Sequence, residues 1–145
     1  MKKEIWFDMD GTIADFYGVE NWIYYLENEN TFPYAEAKTL INPHILTALL
    51  NKLQKQGWKI GIISWTSKNS NSNFSNKIEI EKRNWLAKNF PSIVWDKIYI
   101  VKYGTNKYNV CGGGILFDDE EGNRKHWKDR AYAPNSITAV LNNIA

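Results

Sequence analysis

The fold is decided by the stretch Ile5-Trp6-Phe7-Asp8-Met9-Asp10-Gly11-Thr12, an apolar run that ends in two aspartates one residue apart. Such a run is typical of a buried strand. Ligands of open α/β sheets bind outside the carboxyl ends of the strands, so the two carboxylates are predicted to face a binding site. Aspartate and glycine also favour plain turns after strands, which is the alternative explanation for this stretch.

The spacing of the two aspartates has a chemical consequence. In an extended chain, the side chains of Asp8 and Met9 point to opposite sides, and Asp10 returns to the side of Asp8. Gly11 allows a sharp turn of the backbone directly after them. Two carboxylates this close repel each other unless a cation or a shared proton lies between them. The arrangement is typical of metal-assisted phosphoryl transfer with an aspartate nucleophile.

Length and composition limit the class of protein. The chain has 145 residues, 43% of them hydrophobic and 23% charged, which suits one globular domain with its own core. A formal net charge of +2 gives no support to a nucleic-acid partner. The single cysteine excludes an internal disulfide, and no apolar stretch is long enough for a signal peptide or a membrane span. We therefore expect one cytoplasmic domain over residues 1–145 with no membrane partner.

Strand and helix patterns alternate along the chain. The predicted strands cover residues 4–7, 59–64, 96–101 and 114–117. The predicted helices cover residues 15–29, 43–56, 77–89 and 136–144, with a short helix or turn at 123–128, a polar turn at 28–33 and a polar loop at 68–76. This alternation predicts a three-layer α/β fold, in which helices cover both faces of a parallel sheet.

Two further strands end in polar groups that suit the same site. The second predicted strand ends in Ser64, and Asp118 and Asp119 follow the fourth. With Asp8 and Asp10 they would form a carboxylate cluster, whose hard oxygen ligands suit Mg²⁺. Taken alone, Asp118-Asp119 is explained equally well by a helix cap or a turn.

A phosphoryl group at this site needs a cation to balance its negative charge, and two lysines are candidates. Lys107 is predicted in the loop before the fourth strand, and Lys82 on the third of the long helices. A solvated surface position is the alternative for each. We favour Lys107, since its loop approaches the carboxyl edge of the sheet, whereas Lys82 has to reach across a layer of helices. Ser64 is expected to donate a hydrogen bond to a phosphate oxygen.

These residues resemble the four motifs of the haloacid dehalogenase superfamily of phosphatases. In chain order they are Asp8-Met9-Asp10-Gly11-Thr12, Ser64, Lys107 or Lys82, and Asp118-Asp119. Within that superfamily, residues 8–16, 81–86 and 115–119 are similar to the 5'(3')-deoxyribonucleotidases. The resemblance implies the Rossmann-like fold of that superfamily, with a small helical lid over about residues 17–40.

The resemblance also implies a role for each residue. Asp8 would attack phosphorus and form an aspartyl-phosphate, and Asp10 would protonate the leaving oxygen and then activate water. Asp8, the main-chain carbonyl of Asp10, and Asp118 or Asp119 would hold Mg²⁺. Ser64 and Lys107 would steady the transferring group, and the expected substrate-binding residues are Gly11, Thr12, Trp65 and Lys82.

The expected function is therefore Mg²⁺-dependent hydrolysis of a small phosphomonoester, and the resemblance implies a deoxyribonucleoside monophosphate. The alternatives are a phosphatase for another small metabolite or a nucleic-acid end, and a catalytically weak domain that binds a phosphorylated ligand or a protein. The aromatic residues of the expected lid either stack on a base, with Trp22 or Tyr25 as the stacking residue, or fasten the lid to the core. Trp65 either narrows the site or stacks on the substrate.

Overall fold

Five parallel strands form one open sheet, in the order β3-β2-β1-β4-β5, in a computed structural model that describes residues 2–145. The strands are β1 (Glu4–Phe7), β2 (Lys59–Trp65), β3 (Lys97–Val101), β4 (Ile115–Phe117) and β5 (Arg130–Tyr132). The four predicted strands are confirmed, and β5 is an additional strand whose three residues give no apolar pattern. The strand order reverses between β1 and β4, and open α/β sheets place their ligand crevice at such a point.

Seven helices and two short 3₁₀ turns connect these strands among residues 2–145. The helices are α1 (Trp22–Glu27), α2 (Phe32–Glu36), α3 (Pro43–Lys55), α4 (Ser72–Asn89), α5 (Lys107–Cys111), α6 (Glu121–His126) and α7 (Ile137–Ile144), and the turns are Phe16–Gly18 and Pro134–Ser136. Helix α3 begins as its sequence predicts. The Asn42 side chain accepts hydrogen bonds from the backbone N–H groups of His44 and Ile45. None of the helices in the described range is long and apolar enough to cross a membrane.

The helix predicted over residues 15–29 is wrong in extent. A 3₁₀ turn at Phe16–Gly18 is followed by α1, which begins only at Trp22. Asn21 separates them because its backbone is left-handed, with φ of 65°, and cannot continue a right-handed helix. The turn predicted over residues 28–33 is also wrong at its end, since α2 begins at Phe32, whose backbone N–H donates to the side chain of Asn30.

The short helix predicted at 123–128 is α6 at Glu121–His126, and two further differences from the prediction bear on the site. Helix α4 begins at Ser72 rather than at residue 77, because the Asn71 side chain caps the backbone of Phe74, which is buried. Lys107 does not lie in a loop. It is the first residue of α5, whose N-terminus is capped by the side chain of Asn106.

The two faces of the sheet have separate cores. Ile5, Phe7 and Phe117 belong to the larger core, which lies under α3, α4 and α7. Trp6 and Leu116 belong to the smaller core on the opposite face, which contains Cys111 of α5 and Trp127. Side chains alternate between the faces along each strand, so helices α4 and α5 approach the carboxyl edge from opposite sides.

The segment of residues 17–40 is attached mainly to α4. Phe16 and Tyr34 are buried against Phe74 and Ile78 of that helix, with Trp22 and Leu26 packed around them. Tyr25 does not enter this cluster and stacks on Phe32 instead, with their ring centroids 4.7 Å apart. Packing onto α4 therefore accounts for Tyr34 and Trp22, whereas Tyr17, Tyr24 and Phe32 stay exposed.

Candidate active site

Four carboxylates meet at the carboxyl ends of two neighbouring strands. Asp8 and Asp10 follow β1, Asp118 and Asp119 follow β4, and Phe7 is paired with Phe117 across the two strands. Ligand oxygens of Asp8, Asp118 and Asp119 lie within 4.8 Å of one another. Asp8 and Asp118 are buried, so their charges need partners within the protein.

Lys107 is the first of these partners. Its Nζ donates to Asp8 Oδ1 over 3.0 Å and to Asp118 Oδ2 over 2.7 Å. Burial alone would lower the pKa of Lys107, but the charges of Asp8 and Asp118 outweigh burial and raise it. The ammonium is therefore permanently charged and ties together the ends of β1 and β4.

Lys82 is the second partner, and it serves the other half of the site. Its Nζ donates to Asp10 Oδ2 over 3.0 Å, to Ser64 Oγ over 2.7 Å and to the main-chain carbonyl of Trp65 over 2.7 Å. The side chain is almost wholly buried. Since Ser64 accepts from Lys82, its own hydroxyl hydrogen is free to point into the cavity.

The structure thus brings both candidate lysines to the carboxylates. Lys82 comes from α4 on the face of the larger core, and Lys107 from α5 on the face of the smaller one. Lys107 lines the cavity in front of the carboxylates, whereas Lys82 does not. The sequence favours Lys107 because Lys82 lies in the helical layer, but the side chain of Lys82 is long enough to reach Asp10 and Ser64.

The two aspartates after β1 differ in their affinity for protons. Burial raises the pKa of Asp8, but the Lys107 charge and hydrogen bonds from Asp119 and Lys107 outweigh it and hold the pKa below its usual value. Burial dominates at Asp10, where the negative charge of Asp8 acts in the same direction, so its pKa is raised despite Lys82. Of the two, Asp10 therefore holds a proton more readily, and Asp8 more readily ionises.

The two aspartates after β4, Asp118 and Asp119, also have raised pKa values. Burial and the charge of Asp8 raise the pKa of Asp118 to about 6. Burial, a hydrogen bond with Asp8 and the charge of Asp8 raise the pKa of Asp119 to about 8. At neutral pH Asp119 therefore carries a proton that it shares with Asp8, which is how crowded carboxylates settle without a cation.

The donor set fits Mg²⁺. Asp8, Asp118 and Asp119 offer hard carboxylate oxygens close together, as small divalent cations require. The Asp10 side chain is not part of this cluster, which leaves only its main-chain carbonyl for the ligand role that the resemblance implies. A divalent cation would take the place of the proton on Asp119 and relieve the repulsion that raises its pKa.

Gly11 and Thr12 shape the carboxylate cluster rather than the cavity, which neither of them lines. The Thr12 hydroxyl lies 3.0 Å from Asp8 Oδ2 and 3.3 Å from Asp119 Oδ1, and it accepts a hydrogen bond from the backbone N–H of Asp119. Gly11 has a left-handed φ of 80°, and a Cβ there would overlap the Asp119 carboxylate. Both residues were expected to bind substrate. In the structure the Thr12 hydroxyl contacts Asp8 and Asp119, and Gly11 leaves room for the Asp119 carboxylate.

A cavity of about 240 Å³ opens in front of these groups. Of the predicted site residues, those that line it are Asp8, Asp10, Ser64, Trp65, Lys107 and Asp119. Residues 17–40 contribute Tyr17, Trp22, Leu26 and Tyr34, but not Tyr25. Trp22 therefore keeps its predicted place at the site, whereas Tyr25 lies outside the cavity wall.

Three residues at the site carried no sequence signal. Asn123 Nδ2 donates to Asp118 Oδ2 over 3.1 Å, and an Arg124 guanidinium nitrogen donates to the Asp118 carbonyl over 2.9 Å. Tyr103, on the turn before α5, lines the cavity opposite residues 17–40. Only the approach of α6 and of this turn to the sheet edge brings these side chains to the site.

Comparison with known proteins adds no relative: neither the available protein-family models nor the curated proteins include a match to this chain.

The first prediction concerns Asp119. Replacing it with asparagine removes a carboxyl whose ionisation the folded state opposes, while the amide still donates to Asp8. The raised pKa means that this carboxyl destabilises the fold increasingly as pH rises towards 8. In EDTA above that pH, Asp119→Asn should therefore melt roughly 3 °C higher than the wild type. The same variant should lose most of the rise in melting temperature that Mg²⁺ gives the wild type.

Glu121→Gln is the matched control, since Glu121 is an exposed carboxylate of α6 paired only with Lys125. It should melt like the wild type in both conditions. Full stabilisation of Asp119→Asn by Mg²⁺ would remove Asp119 from the metal site.

The second prediction concerns pH and metal affinity. Mg²⁺ competes with the protons on Asp118 and Asp119, whose pKa values are about 6 and about 8. The Mg²⁺ affinity should therefore increase with pH across this range, and binding at neutral pH should release protons. Calorimetry in two buffers of different ionisation enthalpy measures that release, and a pH-independent affinity would show that these carboxylates do not bind the metal.

Proposed function

We propose that this protein is a Mg²⁺-dependent phosphomonoester hydrolase of the haloacid dehalogenase type, which acts through an aspartyl-phosphate on Asp8. The observation that carries the proposal is the opposite protonation preference of the two aspartates after β1. Such a pair supplies a nucleophile and a general acid side by side. In this proposal, residues 17–40 act as the lid.

The first half-reaction uses both aspartates. An ionised oxygen of Asp8 attacks phosphorus, and the bond between phosphorus and the leaving oxygen breaks. Asp10 gives its proton to that oxygen, so the product leaves as an alcohol. The lowered pKa of Asp8 favours the ionised nucleophile, and the raised pKa of Asp10 favours the protonated acid.

The second half-reaction returns the enzyme to its starting state. Asp10, now ionised, accepts a proton from a water molecule, and the oxygen of that water attacks the phosphorus of the aspartyl-phosphate. The bond between phosphorus and Asp8 breaks, and inorganic phosphate is released. Lys82 holds Asp10 through a 3.0 Å contact during both steps.

The remaining groups stabilise the transferring phosphoryl group. Ser64 can donate its free hydroxyl hydrogen to a phosphate oxygen, and Lys107 brings a positive charge to the cavity wall. Mg²⁺ would be held by Asp8, Asp118 and Asp119, where its positive charge would offset the negative charge of the phosphate oxygens. Asn123 and the backbone N–H of Glu120 hold the carboxylate of Asp118 in place.

The substrate that we propose is a nucleoside monophosphate, in particular a deoxyribonucleotide, which follows from the resemblance of residues 8–16, 81–86 and 115–119. A phosphatase for another metabolite or for a nucleic-acid end is compatible with the same catalytic groups. A domain that only binds phosphorylated ligands has no use for a second aspartate whose pKa is raised as in a general acid, and this argues for an enzyme.

The third prediction tests the two aspartates separately with p-nitrophenyl phosphate. Asp8→Asn removes the nucleophile without changing its shape, so turnover should fall by about three orders of magnitude or more. Asp10→Asn leaves the nucleophile in place. The p-nitrophenyl group is a good leaving group and departs as p-nitrophenolate, which needs no proton from an acid. This variant should release one equivalent of p-nitrophenol in a burst and then stall, because no base activates the water.

Glu79→Gln provides the control, since Glu79 is an exposed carboxylate on α4 paired with Arg83. Its activity should equal that of the wild type. Retained turnover in Asp8→Asn, with melting showing an intact fold, would rule out the covalent mechanism.

The fourth prediction ranks the two lysines. Lys107→Met removes the charge that faces the cavity, and kcat/KM should fall by about two orders of magnitude. The loss should be largest at low pH, because the pKa of Asp8 rises without Lys107. Lys82→Met should lower kcat/KM less than Lys107→Met does at the pH optimum. It removes a positive charge from Asp10, so the pKa of Asp10 should rise and the pH–rate profile should shift to higher pH. Lys88→Met, an exposed change on the same helix as Lys82, should do neither. A larger loss with Lys82→Met would give it the phosphate-binding role.

A further inference from the structure

A second cavity, of about 400 Å³, adjoins the catalytic one. The two share a wall made of Trp65, Tyr103, Lys107, Glu120 and Asn123. The second cavity continues past Asn106, Tyr108 and His126, and no residue of the 17–40 segment lines it. We call it the Trp65 cavity. A substrate whose phosphate lies at Asp8 can therefore extend in two directions, under residues 17–40 or into the Trp65 cavity.

The rings of Trp65 and Tyr103 stand at the junction of the two cavities, and neither serves a core. Among residues 2–145, none of the three hydrophobic clusters includes either residue. Tyr103 is 43% exposed. The aromatic residues Phe16 and Tyr34, by contrast, are used to pack residues 17–40 onto α4. Large apolar rings left at a cavity without a packing role are suited to contact a ligand.

The Trp65 ring and the backbone turn that carries Tyr103 are held in place before any ligand arrives. Trp65 Nε1 donates to the Thr105 carbonyl over 2.9 Å, which fixes the plane of the indole. The Thr105 backbone and hydroxyl both donate to the Lys102 carbonyl, which closes the turn that carries Tyr103. The two ring centroids lie 4.9 Å apart at an interplanar angle of 59°, so the rings form a corner. Fixed rings cost little entropy on binding.

The charges around the corner select an uncharged occupant. Lys107 Nζ lies 5.2 Å from the centre of the Trp65 ring, so a cationic group stacked on that ring would meet a like charge. The charge of Lys107 itself is matched by Asp8 and Asp118. Glu120, which lines both cavities, disfavours an anionic occupant.

We propose that the Trp65 cavity holds the leaving group of the phosphomonoester when that group carries a planar, uncharged ring of the nucleobase kind. The ring stacks in the corner formed by Trp65 and Tyr103, and the side chains of Asn106 and His126 are available to its polar edge. This inference rests on the proposed hydrolase function. It assigns recognition of the ring to core residues, not to residues 17–40.

The experiment compares three monophosphates in the wild type and in Tyr103→Leu: thymidine 5'-monophosphate, p-nitrophenyl phosphate and glycerol 2-phosphate. Loss of one stacking ring should raise KM for thymidine 5'-monophosphate roughly five- to a hundredfold and change its kcat little. KM for glycerol 2-phosphate, which has no ring, should rise far less. Tyr103→Phe keeps the ring and should recover most of the affinity.

Tyr24→Leu is the matched control, since Tyr24 is another exposed tyrosine and lines neither cavity. It should leave all three substrates as in the wild type. A rise in KM for p-nitrophenyl phosphate equal to that for the nucleotide would support ring stacking alone. A smaller rise would support recognition of the polar edge as well.

Failure of this inference is distinguishable from failure of the proposed function. If the wild type hydrolyses the monophosphates but Tyr103→Leu affects all three alike, the inference is wrong and the hydrolase stands. Calorimetric titration with thymidine alone tests the cavity without catalysis. Binding that Tyr103→Leu weakens supports the inference even if no monophosphate is hydrolysed, and no binding of thymidine to the wild type overturns it.

Discussion

The site depends on a charge balance that two lysines leave incomplete. Lys107 and Lys82 contact three of the four carboxylates that follow β1 and β4, so full ionisation would leave two negative charges unmatched. Without a cation, protons supply the difference, and the raised pKa values of Asp10, Asp118 and Asp119 express that need. The deficit equals the charge of one divalent cation. A metal at Asp8, Asp118 and Asp119 would therefore balance the four ionised carboxylates, and a proton kept on Asp10 would leave one positive charge to meet the phosphate of a substrate.

The structure around β1 can be predicted from its sequence, because it depends on residues that are adjacent in the chain. An apolar run, two aspartates and a glycine determine a strand, a turn and a pair of carboxylates, and the parallel sheet with Ser64 and Asp118 at neighbouring strand ends follows from the alternation of elements. The lysines are different. Whether Lys82 reaches Asp10 depends on the start and rotation of α4, and these depend on the Asn71 cap and on Phe74. For Lys107, the formation of α5 is decisive. Asn123 and Tyr103 reach the site only through tertiary packing, so no local pattern predicts them.

The aromatic residues divide into two groups that composition alone does not separate. Phe16 and Tyr34 fill the space between residues 17–40 and α4, and Tyr25 pairs with Phe32 outside the cavity at Asp8. Trp65 and Tyr103 lie at the cavity wall, outside every hydrophobic cluster of the described chain. Two adjacent rings at a cavity wall without a packing role are suited to ligand binding. Hydrolysis and leaving-group recognition would then both be functions of the sheet edge, with residues 17–40 as the cover.

The opposite protonation of Asp8 and Asp10 is the central claim, and carboxyl carbon NMR measures it directly. Protein labelled with ¹³C at the aspartate carboxyl groups is titrated without metal, and spectra of Asp8→Asn and Asp10→Asn assign the two resonances. We expect the Asp8 carboxyl to titrate below the ordinary aspartate range and the Asp10 carboxyl above it, with the Asp10 midpoint rising further in Lys82→Met. A midpoint for Asp10 at or below that of Asp8 would contradict the assignment of nucleophile and acid, and with it the proposed reaction.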